Sequence, residues 1–262
     1  MHMEQKKKEA ATVYKQQQIA PGIYDMWINT TLAVQVKPGQ FISVYTQDKS
    51  ALLPRPISVC ETDAANGRLR IVYRVAGKGT AEFSGYKTGH RVDILGALGN
   101  GFPLEKAEGK RLFLMGGGIG IPPMLAAAKA VKGAVSVDVI AGYRDRELFL
   151  AEDLAKYASV HIATEDGSVG TKGTVMDVIE EEALEADVIF ACGPMPMLRA
   201  IKKYAAGKGI EAYISLEERM ACGVGACLGC VVRTGKVDSH SHVNNARICT
   251  DGPVYAAEDV EI

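Results

Sequence analysis

Along the first hundred residues, short apolar runs alternate with polar positions and are cut apart by turn signals. The turns fall at Pro21-Gly22, Pro38-Gly39, Asn66-Gly67, Thr88-Gly89 and Asn100-Gly101. Asn66-Gly67 separates ISVCETDA from RLRIVYRV, the pattern of a hairpin. Strands this short and this regularly spaced predict a small antiparallel barrel over 8–106. Near residue 110 the period changes. KRLFLMGGG reads as strand and loop, IPPMLAAAKAV as helix, and VSVDVIAGYR as a buried strand. RELFLAEDLAKYA (helix), VHIATED (strand), TVMDVIEEEALEA (helix) and DVIFACGP (strand) follow. MPMLRAIKKYAAGKG (helix) and EAYISL (strand) close the series. Strands alternating with helices predict a parallel sheet covered on both faces. The remaining tail is too short to bury a core alone. The fold class expected is therefore α+β in several domains: a barrel over 1–107, an α/β unit over 108–216 and a small C-terminal module over 217–262. No internal repeat is visible.

Composition narrows the picture. With 262 residues there is room for two domains and an appendage, and 47% apolar with 23% charged residues is ordinary for a globular protein. The net charge of −1 leaves no electrostatic footprint for nucleic acid or an anionic membrane. The lysines at 6–8 read as a solvated start. No apolar stretch has membrane-spanning length, and MHMEQKKKEA lacks the apolar core of a signal peptide. The 28 glycines gather at 77–120 and 222–229, which suggests ligand-binding loops.

Chemistry concentrates in four cysteines. Cys222, Cys227, Cys230 and Cys249 have the spacing C-x4-C-x2-C-x18-C, the plant-type pattern for thiolates on a [2Fe–2S] cluster. Gly223, Gly225, Ala226 and Gly229 leave room for backbone amides to turn toward sulfur. Zinc would more often show two C-x2-C pairs, and disulfides would need an oxidising compartment; both stay open as alternatives. Thiolate ligands without an export signal point to a reducing cytoplasm. Cys60 reads as a small buried hydrophobe. The five histidines form no readable arrangement, and SHSH at 239–242 reads as a solvated loop. No acid–base machinery is apparent, so no catalytic residue is assigned.

Other features suggest ligands. Gly116, Gly117, Gly118 and Gly120 lie between a strand and a helix, where free amides and the helix dipole bind phosphate. GGGIGIPP departs from G-x-G-x-x-G, because Ile121 or Pro123 stands where the third glycine would be. Two further strand ends look equipped: Arg144 in AGYR, and Cys192, Gly193 and Pro194 in ACGP. In the barrel half, Arg55-Pro56-Ile57-Ser58 precedes Val72-Tyr73-Arg74 and then Gly79-Thr80. Two arginines, an aromatic ring and a glycine turn could hold a phosphorylated planar ligand.

The order RPxS, G-x-G-T, glycine loop and CGP resembles the ferredoxin–NADP reductase family over about 8–216. MACGVGACLGC followed by CTDGPV narrows the likeness to electron-transfer subunits of NAD-linked, type 1B dihydroorotate dehydrogenases of pyrimidine synthesis. The resemblance implies FAD on Arg55, Pro56, Ile57, Ser58, Val72, Tyr73, Arg74, Gly79 and Thr80. It implies NAD(H) on Gly116, Gly117, Gly118, Gly120, Arg144, Cys192, Gly193 and Pro194, and the [2Fe–2S] cluster on the four cysteines. Arg144 and Arg146 in GYRDRE leave NAD and NADP both open. The implied partner is an FMN-containing dihydroorotate dehydrogenase subunit in a two-plus-two heterotetramer. Electrons would run from FMN through the cluster and FAD to NAD. The cluster should then face that partner, with Met220, Val224 and Leu228 exposed. Two rival readings remain. One is a flavin–iron reductase subunit of a hydrogenase, sulfide or ferredoxin:NADP assembly. The other is a zinc-containing, nucleotide-sensing regulatory protein.

Overall fold

The computed structural model describes residues 7–235, 237 and 242–262. Six strands close into an antiparallel barrel: β1 (Lys7–Ala20), β2 (Ile23–Asn29), β3 (Phe41–Val44), β4 (Arg55–Asp63), β5 (Arg68–Arg74) and β6 (Arg91–Leu98). Their spatial order is β1-β2-β5-β4-β3-β6. β6 shows why the segment is a strand: Val92, Ile94 and Leu98 point inward, while Arg91 and Asp93 do not. The Asn66-Gly67 turn joins β4 to β5. Gly67 sits at φ +61°, and the Asp63 carboxylate accepts from the Asn66 amide at 3.2 Å. A short helix, α1 (Lys78–Ser84), follows β5.

The second layer is a parallel sheet of β7 (Arg111–Gly117), β8 (Ser136–Tyr143), β9 (Ser159–Thr164), β10 (Thr171–Lys172), β11 (Val188–Cys192) and β12 (Glu211–Ser215). The central strands β7 and β11 bury Leu112–Met115 and Val188–Cys192, as strands covered on both faces must. The helices are α2 (Ile121–Ala130), α3 (Ala151–Leu154), α4 (Val175–Glu181) and α5 (Met195–Lys208). Two are shorter than the sequence pattern predicts. In RELFLAEDLAKYA only Ala151–Leu154 is helical. The Tyr143 hydroxyl donates to the Phe149 carbonyl at 2.9 Å and holds the preceding stretch as a loop. α4 stops at Glu181, and Ala183 takes φ +50° beyond it. Three consecutive glutamates oppose the negative end of the helix dipole there.

The tail does not stand apart. It forms a hairpin of β13 (Val231–Arg233) and β14 (Asn245–Arg247), then β15 (Val254–Ala256), which joins the large sheet antiparallel beside β12. Asn100 staples it: its side chain donates to the Val254 carbonyl at 2.8 Å and accepts from the Val254 amide at 2.9 Å. Met220, Cys230, Ile248, Cys249 and Val260 share one apolar cluster with Ile214, Leu198 and Ile201. The tail thus borrows the core that its length denies it.

Barrel and sheet are locked by a charge network centred on the buried Arg70–Asp25 pair. Arg70 on β5 forks onto Asp25 at 2.9 and 3.0 Å and reaches Glu61 at 3.1 Å and Asp153 of α3 at 3.0 Å. Lys129 of α2 and Lys156 supply the remaining positive charges at 2.6 Å each, giving three of each sign. Bidentate, fully partnered ions of this kind fix one relative orientation. Among the described residues no helix is long and apolar enough to cross a membrane.

Candidate functional site

A cleft of about 610 Å³ opens between barrel and sheet. The start of β4 and the end of β5 line one wall through Arg55, Pro56, Ile57, Ser58, Val72, Tyr73, Arg74 and, from α1, Thr80. Ser215 to Met220, which leave β12, line the other. Gly79 lies behind the wall, where a Cβ would come within 2.2 Å of the Arg55 Nε. A bare backbone is what lets that guanidinium lie across the start of α1. The Thr80 hydroxyl shapes the turn, accepting from the Ala76 and Gly77 amides at 2.9 and 3.2 Å. Tyr73 donates to Gln16 Oε1 at 2.8 Å, and burial pushes its phenol up, so it stays a neutral wall residue. Sequence reading overlooked Glu217. It lines the first cleft, with part of its surface open to solvent. The surrounding protein raises its carboxyl, against the pull of Arg74. Its signal was positional: it lies just past the end of β12.

A second cleft of about 410 Å³ lies at the carboxyl ends of β7, β8 and β11. Chain order reverses between β7 and β11, so this is the topological switch point of the sheet. Gly117, Gly118, Arg144 and Pro194 line it, with Glu165 and Thr174 opposite. The other predicted residues sit behind. A Cβ on Gly120 would meet the Cys192 carbonyl at 2.2 Å, and one on Gly116 would meet Ile121 Cα at 2.9 Å. Those two glycines let α2 pack tightly on its strand. A Cβ on Gly193 would press on Met197 Cε at 2.6 Å. Cys192 is fully buried, and burial holds its thiol protonated. Arg74 lines both clefts and lies against Gly118, so the two spaces share a wall.

The four cysteines form two pairs. All four are free thiols; Cys222 lies within hydrogen-bonding reach of Cys227, and Cys230 of Cys249. No three acidic, His or Cys groups among the described residues converge on a single ion position. Two thiolate pairs suit two irons, each iron taking one pair. Burial would raise the Cys222 thiol. The amides of Val224, Cys227 and Ala226, with the Cys227 thiol, outweigh it and lower it to about 6. The Val224 amide lies 3.4 Å from Cys222 Sγ. Burial and the neighbouring Cys230 push Cys249 up to about 12, against the Gly225 amide. Gly223 and Gly225, at φ +67° and +81°, turn those amides inward. The donor set and the amide cradle fit a [2Fe–2S] centre. The loop lies against the barrel: a Cβ on Gly223 would come within 3.3 Å of Ser43 Oγ on β3 and 3.1 Å of Leu98 Cδ1 on β6, and burial with the charge of Cys222 raises the Tyr45 phenol. Val224 and Leu228 are 42% and 59% exposed, as expected. Met220 corrects the expectation: only 4% exposed, it lines the first cleft and packs in the core of Cys230 and Cys249.

Cys60 is buried in the core, as its sequence context suggests. His90 stacks on Tyr86 with centroids 4.0 Å apart, and His161 Nε2 meets Asp138 at 3.1 Å. His242 is exposed. His2, Lys6 and His240 lie outside the described residues, so the reading of SHSH is met only at His242.

Residues 217–261 match the family model for the iron–sulfur cluster binding domain of dihydroorotate dehydrogenase B. The electron transfer subunit of dihydroorotate dehydrogenase B (NAD(+)) from Bacillus velezensis is 41% identical over 98% of this chain and 100% of its own length. The subunit of the same name from a Geobacillus species is 43% identical over 97% and 98%. Among solved structures, an NADH-dependent reduced ferredoxin–NADP oxidoreductase studied for flavin-based electron bifurcation superposes with a TM-score of 0.85. It is 28% identical, over 97% of this chain and 90% of that one.

Proposed function

The chain belongs to the family of electron transfer subunits of dihydroorotate dehydrogenase B (NAD(+)), and from that premise we propose the route its electrons take. It is an oxidoreductase subunit that carries FAD and a [2Fe–2S] cluster and exchanges electrons with NAD(H) in pyrimidine synthesis. Its partner is the FMN-containing subunit, where dihydroorotate is oxidised to orotate. The assembly is a cytoplasmic two-plus-two heterotetramer, and this chain has no dihydroorotate site of its own.

One observation carries the route: two clefts and the cysteine loop lie in a row and share walls. Arg74 separates the nucleotide cleft from the barrel cleft, and Met220 separates the barrel cleft from the cysteine pairs. FAD occupies the barrel cleft, held by Arg55, Pro56, Ile57, Ser58, Val72, Tyr73, Arg74, Gly79 and Thr80. The nicotinamide nucleotide occupies the switch-point cleft on Gly117, Gly118, Arg144 and Pro194. Gly116, Gly120, Cys192 and Gly193 set the backbone beneath it. The flavin, when bound, supplies the exchange between two-electron and one-electron chemistry. The protein's part is to hold the two clefts at a fixed angle, to exclude water behind Met220, and to present the sulfurs of Cys222, Cys227, Cys230 and Cys249 to the two irons. The domain division 1–107, 108–216 and 217–262 follows these three sites.

The test is anaerobic mixing with the FMN subunit, dihydroorotate and NAD, read at the NADH absorbance band. NADH formation that needs both chains supports the assignment. A chain that reduces dyes with NADH yet ignores that partner moves the reductase to a hydrogenase, sulfide or ferredoxin assembly. A colourless protein holding zinc returns it to the regulatory reading.

A further inference from the structure

Five buried polar side-chain atoms among the described residues have no hydrogen-bond partner: Ser43 Oγ, Arg68 Nε, His90 Nε2, Ser168 Oγ and Tyr255 Oη. Arg68 lies over the Tyr14 ring and His90 stacks on Tyr86. Ser43 and Tyr255 share something else: they flank the cysteine loop from two different layers of the molecule.

Ser43 is on β3 and is 0% exposed. A Cβ on Gly223, the residue after Cys222, would lie 3.3 Å from its hydroxyl. Tyr255 is on β15 and is 9% exposed, in the same apolar cluster as Cys230 and Cys249. Its ring lies over Gly252, where a Cβ would come within 2.7 Å of Oη. The nearby Asp251 carboxylate is already taken by Arg247, through its amide at 2.8 Å and its guanidinium at 2.9 and 3.1 Å. A hydroxyl buried without an acceptor is costly, and native proteins rarely keep one. Two such hydroxyls against one loop call for an acceptor in that loop. Anionic sulfur is the acceptor that the loop is built to hold.

We propose that the Ser43 and Tyr255 hydroxyls donate hydrogen bonds to sulfur atoms of the [2Fe–2S] centre and so set its reduction potential. Ser43 acts from the barrel, on the Cys222 side, and Tyr255 acts from the sheet, on the side of Cys230 and Cys249. The proposal rests on the cluster reading above. Donors aimed at sulfur stabilise the reduced, more negative state and raise the potential. Both are positioning residues, since neither ligates iron.

The experiment is an EPR-monitored redox titration of the full chain as wild type, Y255F and S43A, with S168A as control. Each cluster-side variant should lower the reduction equilibrium constant roughly tenfold, about 59 mV downward for one electron. S168A removes an orphaned hydroxyl outside the loop and should leave the potential unchanged. In heavy water the reduced wild-type cluster should show exchangeable deuteron couplings, and each cluster-side variant should lose one of them. Wild-type potential and intact couplings in both variants overturn the proposal. A shift in only one variant overturns the assignment of the other. A wild-type chain with no [2Fe–2S] signal overturns the cluster reading itself, a failure distinct from unchanged potentials on an intact cluster.

Discussion

The barrel cleft and the cysteine loop are built from different materials. Side chains at two strand ends, β4 and β5, line one wall of the cleft, on a barrel that leaves no free edge. Backbone makes the loop: positive φ at Gly223, Gly225 and Leu228, and amides turned on Cys222. A strand-held site depends on which side chains it presents and on how the two layers are angled. A loop-held site depends on which residues can take left-handed backbone. The two should therefore fail separately.

The largest expected effect is at the loop. Cys227→Ser should abolish transfer to the partner while NADH still reduces the flavin at the wild-type rate in stopped flow. Parallel loss of both would erase the separation. Next comes the network that angles the cleft. Arg70→Ala leaves three carboxylates without their shared cation and should cost about 3–5 kcal/mol in denaturant unfolding. It should slow NADH-driven flavin reduction yet leave the cluster EPR signal unchanged. Gly225→Ala and Gly79→Ala sharpen the contrast. The first puts a Cβ at φ +81° and 3.0 Å from Thr250 Cγ2, and should cost roughly 1–2 kcal/mol and lower cluster content. The second drives a Cβ into the Arg55 guanidinium, and should weaken FAD binding roughly tenfold by calorimetry, the loss of about 1.4 kcal/mol. The smallest effect lies outside both sites. Bonding to the Arg111 side chain and amide lowers the Asp187 carboxyl to about 2. Its contribution is complete above the unfolded carboxylate value and is lost as pH falls through about 2. Asp187→Asn should flatten that last part of the acid-unfolding curve and touch neither redox site.

How far the sequence could be read follows the same division. Alternation over 8–106 and the period change near 110 were enough for both layers, because strands and helices write their exposure into residue type. The cysteine spacing was equally legible, since ligands must be particular residues at particular separations. Glu217 and Met220 were not. Their roles come from where the chain runs after β12, and nothing local marks a residue as facing a cleft. Half of the glycine loop also has a packing role that the sequence did not disclose. Gly116 and Gly120 carry no ligand signal distinct from that of Gly117 and Gly118. Only the packing of α2 against Cys192 and Ile121 separates them. The tail's place in the sheet was likewise hidden, because VYA is too short to announce a strand.

That place has a consequence for biosynthesis. β15 is translated only after the whole cysteine loop, yet it covers the edge of β12. Until it arrives, β12 offers a row of unpaired amides and carbonyls to any passing strand. The nascent chain is thus most prone to aggregate while its cluster loop is being synthesised, and a stall in that interval would leave the sheet open to another chain.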